Sequence, residues 1–407
     1  MSDANRVQLA YVEEGDFGVK ETGSNLQILR YNSESLKQDM ATTISEEIRS
    51  DRQISDVARI GLSASGAIDF ELSYGSHDDF LKAALLDDSG WSTEVRITHS
   101  STISVSSTDN SLNDSSSGFG SFVTGQWIYV SGFSTTANNG FFKISSKTSA
   151  KLVLANGTLV TEAAGSAITV KMGSQITNGI TLVSYNIEKD FKDISNVLSL
   201  LKGMSINTMS LEIPADGIIK GNFGFMGSAE ESLTASAGSG YDDETTSVIM
   251  TGANHVTDIL ENLEDVAILS LSLNINNNLR TRLQVGTLGV ASMGFGTVEI
   301  TGSISLHLLT ADLFDKYLDQ DVTSIVLAVR DADGNGYVIE LPSVKIIDGT
   351  RNAGGINTDV IGDFEFHAYM DATEKISIRI ARFPVSEYFE GSIAAVVILA
   401  GSLTGIA

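Results

Sequence analysis

The chain has 407 residues, 42% hydrophobic and 19% charged, enough for two or three packed domains and too apolar for a disordered polymer. Cys is absent, which excludes disulfides, zinc–thiolate sites and cysteine nucleophiles, and a formal charge of −25 argues against a protein that grips nucleic acid through Lys and Arg clusters. Gly is abundant at 38 residues and Pro scarce at 3, while Val, Ile, Thr and Ser fill short alternating runs, so the predicted fold is mainly β.

The N-terminal stretch to Asn32 lacks a basic region followed by an apolar core, which disfavours a secretory signal. It reads as a candidate arm for neighbouring chains. Ile68–Tyr74 alternates as a strand and runs into an amphipathic helix over Asp79–Leu85, with Ser76 or Asp78 as its cap. The same pattern returns in Ile304–Leu318, where Ile304, Leu306 and Leu308 stand for Phe70, Leu72 and Tyr74, and Asp312, Phe314 and Lys316 stand for Asp78, Phe80 and Lys82. That repeat is displaced by 234 positions. A second pair shares a Gly-x-Phe-x-Phe core, Gly221–Phe225 and Gly362–Phe366, displaced by 141. The two displacements differ by about the length of 92–175, so one β unit is duplicated, with a small domain inserted after the helix of its first copy.

The insert is compositionally foreign. It carries Arg96, Lys143, Lys147, Lys151 and Lys171 against Glu94, Asp109, Asp114 and Glu162, which leaves about −26 for the rest of the chain. After a Ser/Thr/Asn-rich stretch from Ser104 to Gly120, short strands are predicted at 127–130, 141–144, 151–154 and 167–170, an all-β module expected to decorate the outer surface and to be removable. The predicted division is 1–91 and 176–229 for the first unit, 230–245 for a linker, 246–382 for the second unit and 383–407 for an apolar C-terminal arm too short and too polar to cross a bilayer.

Chemistry is sought and not found. Asp331–Gly336 opens like a calcium loop, but Pro342 stands where the closing Glu belongs, so a hairpin turn is expected. His77, His99, His255, His307 and His367 share no metal-ligand spacing, and no nucleophile elbow, P-loop or dinucleotide fingerprint is present. No catalytic, cofactor or metal residue is assigned, and the chain reads as non-enzymatic. A competing class is a bacterial surface ligand-binding β protein.

The run Asp51–Arg59, followed by Gly66–Ser73 and the helix from Asp79, together with the phrases Gly125–Phe133 and Asn138–Ile144 in the insert, resembles the tail tube proteins of tailed bacteriophages over about residues 10–380. The resemblance implies two tandem tube-like β-sandwich or barrel units with short flanking helices, and rings stacked into a conduit for DNA ejection. Implied partners are other copies of the chain, a tail terminator, a tape measure and tail tip proteins, with duplex DNA passing unbound and no membrane. It implies assembly in the host cytoplasm and a final place in the virion; the alternatives within the family are a terminator, a hub or a contractile-type tube. Strand alternation offers Asp69, Glu71 and Glu299 as carboxylates facing the lumen. Duplication then predicts three chains per ring, and an outward insert predicts a long non-contractile tail.

Overall fold

The computed structural model describes residues 3–308 and 310–385, so most of the apolar C-terminal segment lies outside the described residues. The alternating runs fold as strands: β1 (Val7–Glu13), β2 (Lys37–Ile44) and β3 (Val57–Glu71) precede helix α1 (Asp78–Ala84). After the insert come β4 (Tyr185–Phe191), β5 (Leu198–Pro214) and β6 (Lys220–Gly227). The second half supplies β7 (Val256–Glu261), β8 (Ser270–Asn276), β9 (Glu299–His307), α2 (Asp312–Asp319), β10 (Val322–Arg330), β11 (Gly336–Ala353), β12 (Val360–Ala368) and β13 (Arg379–Phe383).

One antiparallel pairing scheme occurs twice. In the first half β1 pairs with β4, β4 with β5, β5 with β6, β6 with β3 and β3 with β2. In the second half β7 pairs with β10, β10 with β11, β11 with β12, β12 with β9 and β9 with β8. Two of the irregularities coincide as well. Against β6, β5 slips between Ile206 and Thr208, as β11 does against β12 between Ile346 and Asp348; β4 slips between Tyr185 and Ile187, as β10 does between Thr323 and Ile325. Both long strands change partners midway, their first parts joining an outer sheet and their second parts an inner one.

The register departs from the sequence alignment in one place. Displacements of 234 and 141 would set Phe364 opposite Gly302, as Phe223 is opposite Ile68, yet Phe364 lies opposite Ile304. The cause is the connection to the helix: 72–77 in the first half, but only 308–311 in the second. An even step leaves every side chain on its own face, so the core pattern survives it.

The halves are joined where Thr208–Pro214 of β5 pairs with Ser270–Asn276 of β8. The result is one continuous sheet in the order β2-β3-β6-β5-β8-β9-β12-β11. A common core lies along one face of it. Phe70 stacks on Phe223 at 4.6 Å, Phe80 of α1 meets Phe223 and Phe225 edge-on at 5.5 Å, and Leu271, Ile304, Phe364 and Phe366 continue the layer in the second half.

Asp78 does not cap α1, whose N-cap position is His77 without a side-chain bond. Instead Asp78 reaches the second half, accepting bonds from Tyr337 and from Arg382 at 2.6 Å. Burial raises its pKa against the opposing pull of Arg382 and Tyr337. The N-terminal segment is also part of its own fold, since β1 pairs with β4 and Asn25–Ile28 pairs with β1, burying Leu9 and Leu26. The stretch read as a linker contains strands too: Ala229–Leu233 lies on β5 and Gly240–Asp242 runs parallel to Asn25–Gln27.

Candidate functional surface

The face of the eight-strand sheet turned away from the core is polar along its whole width. One transverse row runs Asp69, Asn222, Ser210, Asn274, Thr301, His367, Lys345; a neighbouring row runs Glu71, Lys220, Glu212, Ser272, Ser303, Glu365, Asp348. Glu299 stands on the same face, opposite Asn276. The three carboxylates proposed from alternation therefore share one surface. Alternation works here because a strand buried on one side must place every second residue in water.

Further carboxylates join them that were not singled out in the sequence: Asp39, Glu212, Asp348, Asp363 and Glu365. The signal was available in Asp363-Phe364-Glu365-Phe366, whose period of two is the same as that of Asp69-Phe70-Glu71. Against these eight acids the face offers Lys37, Lys220 and Lys345. Hydrogen bonds knit it: Asn222 donates to Asp69, Ser305 to Asp363 at 2.7 Å, and Ser272 and Ser303 share a bond of 2.8 Å. Ser65 donates to Asp39 at 2.7 Å while Lys37 lies 2.9 Å away, and together they hold the Asp39 carboxyl below its usual range.

The insert forms a separate seven-stranded sheet with its own core, centred on Phe119, Phe122, Ile128 and Val130. Two further strands, Ile103–Ser106 and Ser111–Asp114, fall at the start of and within the Ser/Thr/Asn-rich stretch, ahead of the predicted ones. The ends of the segment meet, because Ser92 N–H donates to Gln175 O at 3.0 Å and Gln175 N–H to Ser92 Oγ at 3.0 Å.

The insert is packed against the second half. Trp127 and Phe141 bury against Leu260, Val326, Ala328, Val338, Ala381 and Phe383. At the centre of that contact the Glu340 carboxylate, 1% exposed, receives Lys143 Nζ at 2.6 Å, Trp127 Nε1 at 2.9 Å and Arg379 at 2.6 Å. Glu374 binds the same two cations, Lys143 at 2.5 Å and Arg379 at 2.6 Å. Burial alone would lower the Lys143 pKa; Glu340 and Glu374 outweigh it and leave the value raised. Removing the insert would bare an apolar face that includes Leu260, Val326, Val338 and Phe383 and take Lys143 and Trp127 away from the Glu340 carboxylate, so its deletion is expected to carry a cost in stability.

The would-be calcium loop is a hairpin turn between β10 and β11. The Asp331 carboxylate accepts from Asn335 N–H at 2.8 Å and Asn335 Nδ2 at 3.1 Å, and Gly334 takes φ +93°, a left-handed conformation suited to Gly. Among the described residues no group of three or more His, Cys, Asp or Glu could hold a metal, and no helix is long and apolar enough to cross a membrane. His77 is buried, its ring packed at a tilt against Phe70 with centroids 4.4 Å apart, and burial lowers its pKa to about 4.

A wide sheet with one face packed and the other hydrophilic, ending in strand edges at both sides, defines a structural β subunit built to join others. The family model described as phage tail tube protein matches residues 4–368, and the chain belongs to that family. It is a structural virion protein that assembles into the tail tube with other tail components. A search of curated proteins finds no match.

Proposed function

We propose that three chains close into each ring of the tube, with the acidic face of the eight-strand sheet as the lumen wall. The observation that carries this reading is the pairing scheme repeated twice within one continuous sheet. On this reading one unit comprises 1–91 and 176–229, a second unit 246–382, and the insert 92–175. Each chain then fills two of six similar positions, giving threefold symmetry with sixfold-like geometry.

Three copies of this sheet give a barrel of about 24 strands; at a spacing of about 4.8 Å and a tilt of about 40°, the backbone wall is about 48 Å across. Side chains reduce the bore to about 38 Å, enough for duplex DNA. Asp69, Glu71 and Glu299, with the other carboxylates of this face, would repel phosphate, so the genome slides during ejection instead of adhering. The helices and the insert lie on the packed side and face outward, where a contractile sheath would collide with the insert; this favours a long non-contractile tail. A terminator, a tape measure and tip proteins are the partners expected along such a tube, with assembly in the host cytoplasm.

Electron microscopy of purified tubes, averaged without imposed symmetry, tests the proposal. Three chains per ring with six similar lobes around an acidic bore is the expected result. Six chains per ring, or a bore lined by the insert, would overturn it.

A further inference from the structure

The two long strands are equivalent in every pairing except one. On β5, the side that β4 leaves after Met204 is taken up by β8 over Thr208–Pro214. On β11, the side that β10 leaves after Lys345 has no strand partner over Ile346–Ala353 among the described residues. The complementary vacancy lies at the opposite end of the same sheet. Ser33–Glu34 and β2 pair with β3 on one side, as β8 pairs with β9, but the side that β8 offers to β5 is open here among the described residues. Among the described residues the hydrogen bonds on these open sides come from side chains, as where Lys189 Nζ donates to Leu36 O at 2.5 Å and Gln320 Nε2 to Ile346 O at 3.3 Å.

We propose that these two edges pair with each other between neighbouring copies of the chain, antiparallel and in the register of the internal β5–β8 seam, with Thr350 opposite Lys37. The proposal rests on the ring reading and names its joint. The register follows from equivalences already seen: Ile206 corresponds to Ile346 through the shared bulge, and Ile68 corresponds to Ile304 through their partners Phe223 and Phe364. Transposed in this way, Thr208–Asn276 becomes Asp348–Asp39, Ser210–Asn274 becomes Thr350–Lys37, and Leu211–Leu273 becomes Arg351–Leu36.

Faces agree across the new seam. Lys37 and Asp39 share the polar face with Ser65 and Ser63, as Asp348 shares it with Glu365. A slip by one residue would turn the polar set toward the core. The charges also fit. Asp39 and Asp348 are like charges in opposition, but Lys37 is already paired with Asp39 and sits diagonal to Asp348, while Glu34 falls diagonal to Arg351. A long open edge is also a hazard in a free chain, and a head-to-tail joint repeated around a closed ring removes it.

The chain contains no cysteine, so engineered disulfides report the seam without background. Directly opposed residues on antiparallel strands have Cα atoms about 4.5–5.5 Å apart, within reach of a disulfide. Tubes of Lys37→Cys/Thr350→Cys, oxidised and run on a denaturing gel without reductant, are expected to give covalently closed species that end at three chains. The pair Ser35→Cys/Thr350→Cys, which matches a register two residues away, is expected to stay uncross-linked. Should the double variant not assemble, co-assembly of the two single variants with unaltered chain is expected to give cross-linked pairs. Tubes without the Lys37–Thr350 cross-link, or with the Ser35–Thr350 one in its place, would overturn the seam and leave the tube standing. Failure of the unaltered protein to form tubes under any condition would overturn both.

Discussion

The outer sheets of the two halves are covered in opposite ways. In the first half Leu198 and Leu200 of β5 are roofed by Leu233 and Ala237, from the chain that directly follows β6. At the matching positions of β11 stand Val338 and Glu340, roofed by the insert, with Lys143, Arg379 and Glu374 gathered around the carboxylate. A cover delivered by the adjacent chain is confined to its place, so a small apolar patch suffices. A separately folded module could settle in several orientations against an apolar face. The buried ionic cluster allows one, since any other leaves charges unpaired in a dry contact.

Breaking the ionic cover should have the largest effect. Glu340→Ala removes the more buried of the two carboxylates that Lys143 and Arg379 share, leaves Trp127 Nε1 without its acceptor, and is expected to cost about 3 kcal/mol, read from urea unfolding of the unassembled chain. A loss below about 1 kcal/mol would show that the cluster is a bystander. Leu200→Ala, at the matching position of the apolar cover, is expected to cost about 2 kcal/mol, because a four-residue cluster near the surface can partly collapse around the deleted methyls. Equal losses at the two positions would erase the distinction.

The smallest effect is a difference in pH response. The Lys143 pKa is raised in the folded chain, so its contribution is fully present below the unfolded value near 10.5 and is lost as pH rises through the folded value. Amide exchange along Trp127–Ser131 and Gly140–Thr148, where the insert meets the second half, is expected to quicken above about pH 10.5 before exchange at Leu198–Leu201 does. Simultaneous loosening of both covers would contradict an ionic origin.

Much of this was legible in the sequence, for stated physical reasons. Strand faces follow a period of two that any half-buried strand must obey, so Asp69, Glu71 and Glu299 could be placed on one surface without coordinates. The segment 92–175 stood apart in charge and composition, and Ser92 and Gln175 are hydrogen-bonded to each other. What stayed hidden were contacts between distant segments. Glu340 and Lys143 lie in unremarkable alternating runs, and nothing local marks either as buried. Asp78 looked like a helix cap because Asp commonly is one, but Tyr337 and Arg382 claim it from the other half. The two-residue register step was invisible because an even slip preserves every hydrophobic pattern.

The insert and β13 share one more tie. Ser174–Thr177, at the end of the insert, pairs with Arg379–Arg382, so a strand made before the midpoint of the chain waits for one roughly two hundred residues later. At a synthesis rate of about 5–20 residues per second, that wait lasts on the order of 10–40 seconds on the ribosome. For most of that interval β11 is itself unmade, and until Arg379–Phe383 follows it β11 lacks β13 at its side and the insert lacks the Arg379 end of its anchor. The second half of a nascent chain is therefore complete only when the polypeptide nearly is.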